Sequence, residues 1–385
     1  MIMITLAVLL LSFRASPALA ESPPVGGPAM KSAIAGYAAL ARREYGQALV
    51  AAESLRDSVQ SFLAAPSPAT LATARRAWIL SRDLYGRTEV FRFAGGPIDD
   101  VHPVTGVQGP ENRLNAWPVD EAFLDYVAGS PAGGLIGNRS VPITAVTLVG
   151  RHGTEGEAEV TLGFHAIEFL LWGQDRNPDG PGDRTDRDYL PGDEIRDRRR
   201  TCLALELDLL VQDLAWVARE WEPGPDRYAS AFIALPPAAA LDRALSGVAT
   251  LAGFELAAER IGIPLASGGQ EDEQSCFSDT TDRDLRANVA GIALVLEGEG
   301  ATPGLLSAIS ALDDVRARDL RQRLQRVQDL VQGVEPPFDR LLSAPEDDPR
   351  RARLQALAGE LLGLAGAICR AGELAGVKVV IGGGG

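Results

Sequence analysis

Cysteine is scarce in this chain: Cys202, Cys276 and Cys369 are three widely spaced residues among 385. That excludes a disulfide-stapled scaffold, and the length suffices to bury a sizeable core without one. The odd count leaves room for one bridge and one free thiol, or for three unpaired thiols. Aromatic residues make up only 6%, and no stretch alternates convincingly between apolar and polar, so strands have little support. Positive charge is also short, 37 basic against 52 acidic residues for a net charge of −15. Such a field repels a phosphate backbone, which argues against a nucleic-acid partner and favours a cationic ligand. His-Glu-x-x-His is missing, and so is its inverse, because Phe169 follows Glu168 where a second histidine would stand.

The N-terminus leads one to expect a protein outside the cytoplasm. Met1 to Leu11 are almost wholly apolar and lead through Arg14 to Ala18-Leu19-Ala20, a small-x-small pattern that predicts a secretory signal cut near Ala20 and a periplasmic or secreted product. The 13 residues before Arg14 would span about 20 Å as a helix against roughly 30 Å of hydrocarbon, so no stable membrane anchor is expected. No cysteine precedes Cys202 to carry a lipid.

Alanine and leucine dominate the apolar set, and apolar residues recur at spacings of three and four. Helical blocks are predicted at about 29–64, 68–93, 118–128, 156–172, 193–221, 228–262, 281–297, 303–332 and 348–375. The pattern is that of an all-α protein whose helices bury their stripes as two antiparallel bundles. An N-terminal helical half at 21–175 and a C-terminal half at 193–385 would be joined by an acidic, Gly/Pro-rich loop at 176–192.

With only three histidines, each can be weighed singly. His102 and His152 lie in loops and are expected on solvated surface. His165 sits in Gly163-Phe164-His165-Ala166-Ile167-Glu168-Phe169-Leu170-Leu171-Trp172-Gly173, where it and Glu168 are the only polar side chains. Three residues apart on a helix they project from one face and can share a metal ion. The plainer alternative is a core histidine hydrogen-bonded to Glu168 or to a backbone carbonyl. Upstream, Trp78, Arg82, Tyr85, Glu89 and Arg92 or Phe93 follow helical spacing, putting aromatic and ionisable groups on one face. Glu89 is the expected third ligand, with Arg82 and Arg92 orienting carboxylates, and the plainer alternative is that these groups form ion pairs within and between helices. One imidazole among carboxylates suits iron or manganese better than zinc. Separately, Asp175, Asn177, Asp179, Asp183 and Asp186 match the spacing of a calcium loop, although Asp stands where the bidentate Glu is usual.

The segment Gly163 to Asp175 resembles the Gly-x-His-x-x-Glu signature of the imelysin family of exported, often iron-regulated bacterial proteins. Trp78 to Asp99, Asn115 to Glu121 and Glu271 to Asp279 are similar to further stretches of that family, in the same order. The resemblance implies two four-helix-bundle-like halves arising by duplication, with the motif between them. It implies an iron-binding role for His165 and Glu168, with Glu89 at the acidic place upstream, in iron acquisition alongside a membrane transport component. Asp99, Trp117, Ser278 and Asp279 fall in matching segments as candidates for the pocket wall. Gln274 and Thr281-Asp282 stand where the family often has histidines. The family also bears a metallopeptidase label, so two alternatives stay open: a peptidase with Glu168 as base, or a non-metal binding module whose His-Glu pair is a core element.

Overall fold

A computed structural model describes residues 26–102, 105–177 and 179–382. The expected signal at 1–20 lies outside the described residues. The protein is all-α, with a two-residue hairpin pairing Gly298–Glu299 with Thr302–Pro303 as its sole sheet among the described residues.

Helix α1, Pro28–Ala64, buries Ile34, Tyr37, Ala41, Tyr45, Ala52, Leu55, Val59 and Phe62 along one stripe. Helix α2, Pro68–Gly86, packs against it and starts from a capping box in which the Ser67 hydroxyl accepts from Thr70 N at 3.2 Å while Ser67 N donates to Thr70 Oγ1 at 3.0 Å. The predicted block to residue 93 is not one helix. The α-helix ends at Gly86, and the chain tightens into a 3₁₀ turn, Arg87–Phe91, that carries Glu89.

Helix α3, Phe164–Trp172, holds the His165 motif and is buried at every residue. It is shorter than the predicted 156–172 because Gly163, at φ 92°, breaks the helical path. Helix α4 spans Glu194–Glu220. The predicted block 228–262 splits at Pro236-Pro237, where the ring bars the preceding residue from helix. Beyond it, α5, Pro237–Thr250, widens into a π-helical stretch, Leu251–Gly262. Helix α6 is Thr281–Glu297. The block 303–332 divides into α7, Leu305–Leu312, and α8, Asp314–Gln332, because extended Asp313 caps α8, accepting from Val315 N at 2.9 Å and Arg316 N at 3.1 Å. Helix α9, Pro349–Leu374, is long and apolar enough by composition to cross a membrane, yet its Leu354, Leu357, Leu361, Leu364 and Ile368 are spent on the core.

One hydrophobic core runs from Met30 to Val377, and α1 packs on α2 and on α4, α5 and α7 from beyond the 176–192 loop. Cys202, Cys276 and Cys369 are all unbridged. Two surface expectations are overturned. His102 is 1% exposed and His152 9% exposed. His102 Nδ1 accepts from Thr105 N at 3.1 Å, with Nε2 2.9 Å from Glu220. His152 Nδ1 accepts from Thr161 N at 3.2 Å, and Nε2 lies 2.8 Å from Asn112 O. In both, the ring ties a loop to its neighbour, which spacing along the chain does not reveal.

Candidate metal centre

The glycine that opens the motif has a steric cause. A Cβ on Gly163 would lie 2.6 Å from Leu114 O and 2.7 Å from Arg113 O, so the first turn of α3 rests directly on the 111–115 backbone. At the other end Arg75 donates to Leu171 O from Nε at 3.1 Å and Nη2 at 2.9 Å, closing helix carbonyls that have no partner within α3. Both ends of the helix are therefore fixed, and with them the two side chains between.

His165 and Glu168 are each 0% exposed, with His165 Nδ1 2.9 Å from Glu168 Oε2. The second carboxyl oxygen, Oε1, accepts from Ser278 N at 2.9 Å and Ser278 Oγ at 2.7 Å. Burial drives the Glu168 pKa well above the ordinary carboxylate range, which the Ser278 hydroxyl only partly offsets. Burial, then the charges of Arg82 and Arg260, drive His165 well below its ordinary value. Both shifts favour the neutral forms, in which the carboxylic acid donates to Nδ1, since Oε1 already accepts twice, and the imidazole proton sits on Nε2. That leaves Nε2 of His165 buried without a hydrogen-bond partner. A cation would fit there by taking the place of the Nε2 proton, while the Glu168 proton passes to Nδ1 and leaves the carboxylate charged, a net release of one proton.

Beside this pair lies a buried ion network. Arg82 donates from Nε to Asp284 at 2.9 Å and from Nη1 to Asn115, and its Nη2 lies 3.9 Å from Glu89. Asp284 also accepts from Ser275 Oγ. Glu89, 0% exposed, is ion-paired with Arg260 and with Arg92, the latter at 3.6 Å, and Asn288 Nδ2 donates to it at 3.3 Å. Burial pushes the Glu89 carboxyl up, but Arg260, then Arg82 and Arg92, pull it further down, to about 2. Arg92 spans Glu111 at 3.1 Å and Asp99 at 3.2 Å as well.

Over the network opens a cleft of about 440 Å³ whose walls include Arg92, Asn115, Trp117 and Arg260. Six carboxylates line it: Glu111, Glu157, Glu255, Glu259, Glu271 and Asp272. The Trp117 ring faces the cleft on one side and lies 5.0 Å, centroid to centroid, from the His165 imidazole.

Residues 41–368 match the family model of imelysin. The chain belongs to the imelysin family. Among its relatives is the iron-regulated protein A of Synechococcus elongatus, 27% identical over 290 residues, which are 73% of this chain and 64% of that protein. The chain thus spans less than two thirds of that relative's length. The fold is shared with a crystal structure of a protein from Parabacteroides distasonis described as an iron-regulated protein A precursor, at TM-score 0.70 and 17% identity over 91% of this chain and 97% of that one.

In this chain, His165, Glu168, Ser278 and Trp117 lie together. Glu89 does not join them: three guanidinium groups already surround its carboxylate, and its ligand atoms form no set with His165 and Glu168 within 4.8 Å. Arg82 and Arg92 do orient carboxylates, those of Asp284, Asp99 and Glu111 as well as that of Glu89. Asp99 also accepts from Phe93 N at 2.9 Å. Asp279 faces away into a different acidic group with Asp175 and Asp339, the one such set among the described residues. The five calcium-loop residues do not gather either. Asp179 is ion-paired with Arg340 at 3.0 Å, Asp183 is exposed, and Asp186 opens a 3₁₀ turn. Asn115, Glu111, Arg260, Asp284 and Asn288 were not singled out from the sequence. Arg260 carried a signal, a lone basic residue between Ala258-Glu259 and Ile261-Gly262 in an apolar stretch.

Proposed function

We propose that this protein is an exported iron-binding member of the family that takes iron as cargo at the His165–Glu168 pair, in iron acquisition. The observation that carries this reading is the unpartnered Nε2 of a wholly buried imidazole whose other nitrogen is hydrogen-bonded to a wholly buried carboxyl, among the described residues. Taking up a cation lets Glu168 ionise, so its negative charge appears where the metal's positive charge arrives. Six carboxylates around the cleft raise the local concentration of cations, and Trp117 is the side chain an ion passes between cleft and imidazole. The iron-regulated relatives support an iron-related role. Glu89 serves in this proposal as counter-ion to Arg82, Arg92 and Arg260 and not as a ligand.

The burial of Glu168 favours cargo binding over the peptidase alternative, because a base for peptide hydrolysis must reach a water at the scissile carbonyl. A membrane transport component as partner follows from the same proposal. The test is His165→Ala. Tight iron binding, followed by metal analysis after equilibrium dialysis, is expected to be lost while far-UV circular dichroism stays unchanged. Retention of stoichiometric iron overturns the assignment, and chelator-sensitive cleavage of unstructured peptides by the parent protein would install the peptidase reading in its place.

A further inference from the structure

Away from the cleft, four acidic side chains from three distant parts of the chain converge. Ligand oxygens of Asp175, in the loop after α3, of Asp279, in the loop before α6, and of Asp339, near the C-terminal end of the core, lie within 4.8 Å of one another. Glu273, 0% exposed, lies beside Asp339 and Asp279. No N–H donor reaches either carboxylate oxygen of Glu273, Asp279 or Asp339, and none of the three is in an ion pair among the described residues. Their polar neighbours include one another, Asp175, the Thr281 hydroxyl and Asp282, the last ion-paired with Arg286. Gln270 donates to Asp175, and the nearby Arg340 is committed to Asp179. Four carboxyl groups, three of them buried without a donor, are a costly arrangement for a folded protein unless something positive sits among them.

We propose that Asp175, Glu273, Asp279 and Asp339 form a second cation site, for an oxygen-seeking ion of the calcium class, which staples the loop after α3 to the loop before α6 and to the 339–342 turn. The donor set consists of carboxylate oxygens alone, up to eight of them, the hard and numerous kind that calcium takes and that neither zinc nor copper prefers. Asp175 is half-buried and is the member of the set open to solvent, whereas Glu273 is wholly buried. Without a cation the cluster must hold protons: burial, then the charges of Asp339 and Asp175, push Asp279 up to about 8, and burial pushes Asp175 to about 6. This site shares no residue with the His165–Glu168 pair and only Asp175 with the calcium-loop spacing read from the sequence.

The test uses full-length protein freed of metal by chelator. Equilibrium dialysis against radioactive calcium is expected to find one ion per chain, and 1 mM calcium is expected to raise Tm by about 3 to 8 °C. Asp339→Asn removes one charge at constant volume. It should lower calcium affinity at least tenfold and abolish the shift, while the metal-free Tm holds or rises as like charges are thinned. His165→Ala should keep the full calcium shift, which separates failure of this site from failure of the iron proposal. Should Asp339→Asn fold poorly, Glu273→Gln offers the same comparison. A wild-type protein that takes up no calcium, an Asp339→Asn or Glu273→Gln variant that keeps the shift, or an equal shift with 1 mM magnesium would each overturn the proposal.

Discussion

Replacing Glu89 by glutamine keeps the shape of the side chain and removes the one charge that Arg82, Arg92 and Arg260 hold in common. Its carboxyl is drawn from the ordinary 4.5 to about 2. At about 1.4 kcal/mol for each tenfold step, that stabilises the fold by about 3 kcal/mol at pH 7. The figure agrees with the roughly 3–5 kcal/mol lost when a buried ion pair is deprived of one partner. Over 385 residues the entropy of unfolding comes to roughly 0.8 kcal/mol per kelvin, so Tm should fall by about 4 °C. The sign of the pH dependence is fixed too. A folded pKa below the unfolded one gives stability that is complete above about 4.5 and lost as pH falls towards about 2. Urea unfolding of parent and Glu89→Gln should therefore differ by about 3 kcal/mol at pH 7 and converge near pH 2. A gap below about 1 kcal/mol at pH 7, together with loss of iron binding, would mean that Glu89 is a ligand after all and that the guanidinium groups do not depend on it.

Glu168→Gln should leave the fold intact, since an amide can accept from Ser278 and donate to His165 Nδ1. Because the folded pKa of Glu168 lies above the unfolded one, the parent loses stability as pH rises past about 4.5, and thermal melts of the variant should lack that part of the slope. In chelator-buffered titrations between pH 5.5 and 7, iron affinity of the parent should rise about tenfold per pH unit as one proton is released, and the variant should show a weaker, flat response. A variant that keeps the parent's pH dependence would place that proton elsewhere. Gly163→Ala brings a Cβ to 2.6 Å from Leu114 O at a φ of 92°, and should cost about 3 kcal/mol or more, a fall of about 4 °C in Tm. A fall of less than 1 °C would show that the 111–115 segment yields.

Helical periodicity located α1, α4, α6 and α9 to within a residue or two, because each buries a continuous stripe and none is interrupted. It ran on too far where a single residue overrules the pattern: at Gly86 and Gly163, at Pro236-Pro237, and at Asp313, which caps α8 where a continuous helix was expected. The His165–Glu168 pair was legible because two polar residues in an apolar helix must share a face. Ser278 and Trp117 came from the family resemblance, not from spacing.

What the sequence decided by itself is the local part: an all-α chain, an excess of negative charge, and an imidazole and a carboxyl one helical turn apart. Only the tertiary structure decided what each charge does. Glu89 and Asp175 read as ligands along the chain, but the first is claimed by arginines from α2, from the residue just after its own 3₁₀ turn and from the π-helical stretch, while the second turns to acids 104 and 164 residues away. The reason is physical: a buried charge is settled by whichever groups lie within a few ångströms, and those are chosen by how helices pack and not by their order in the chain.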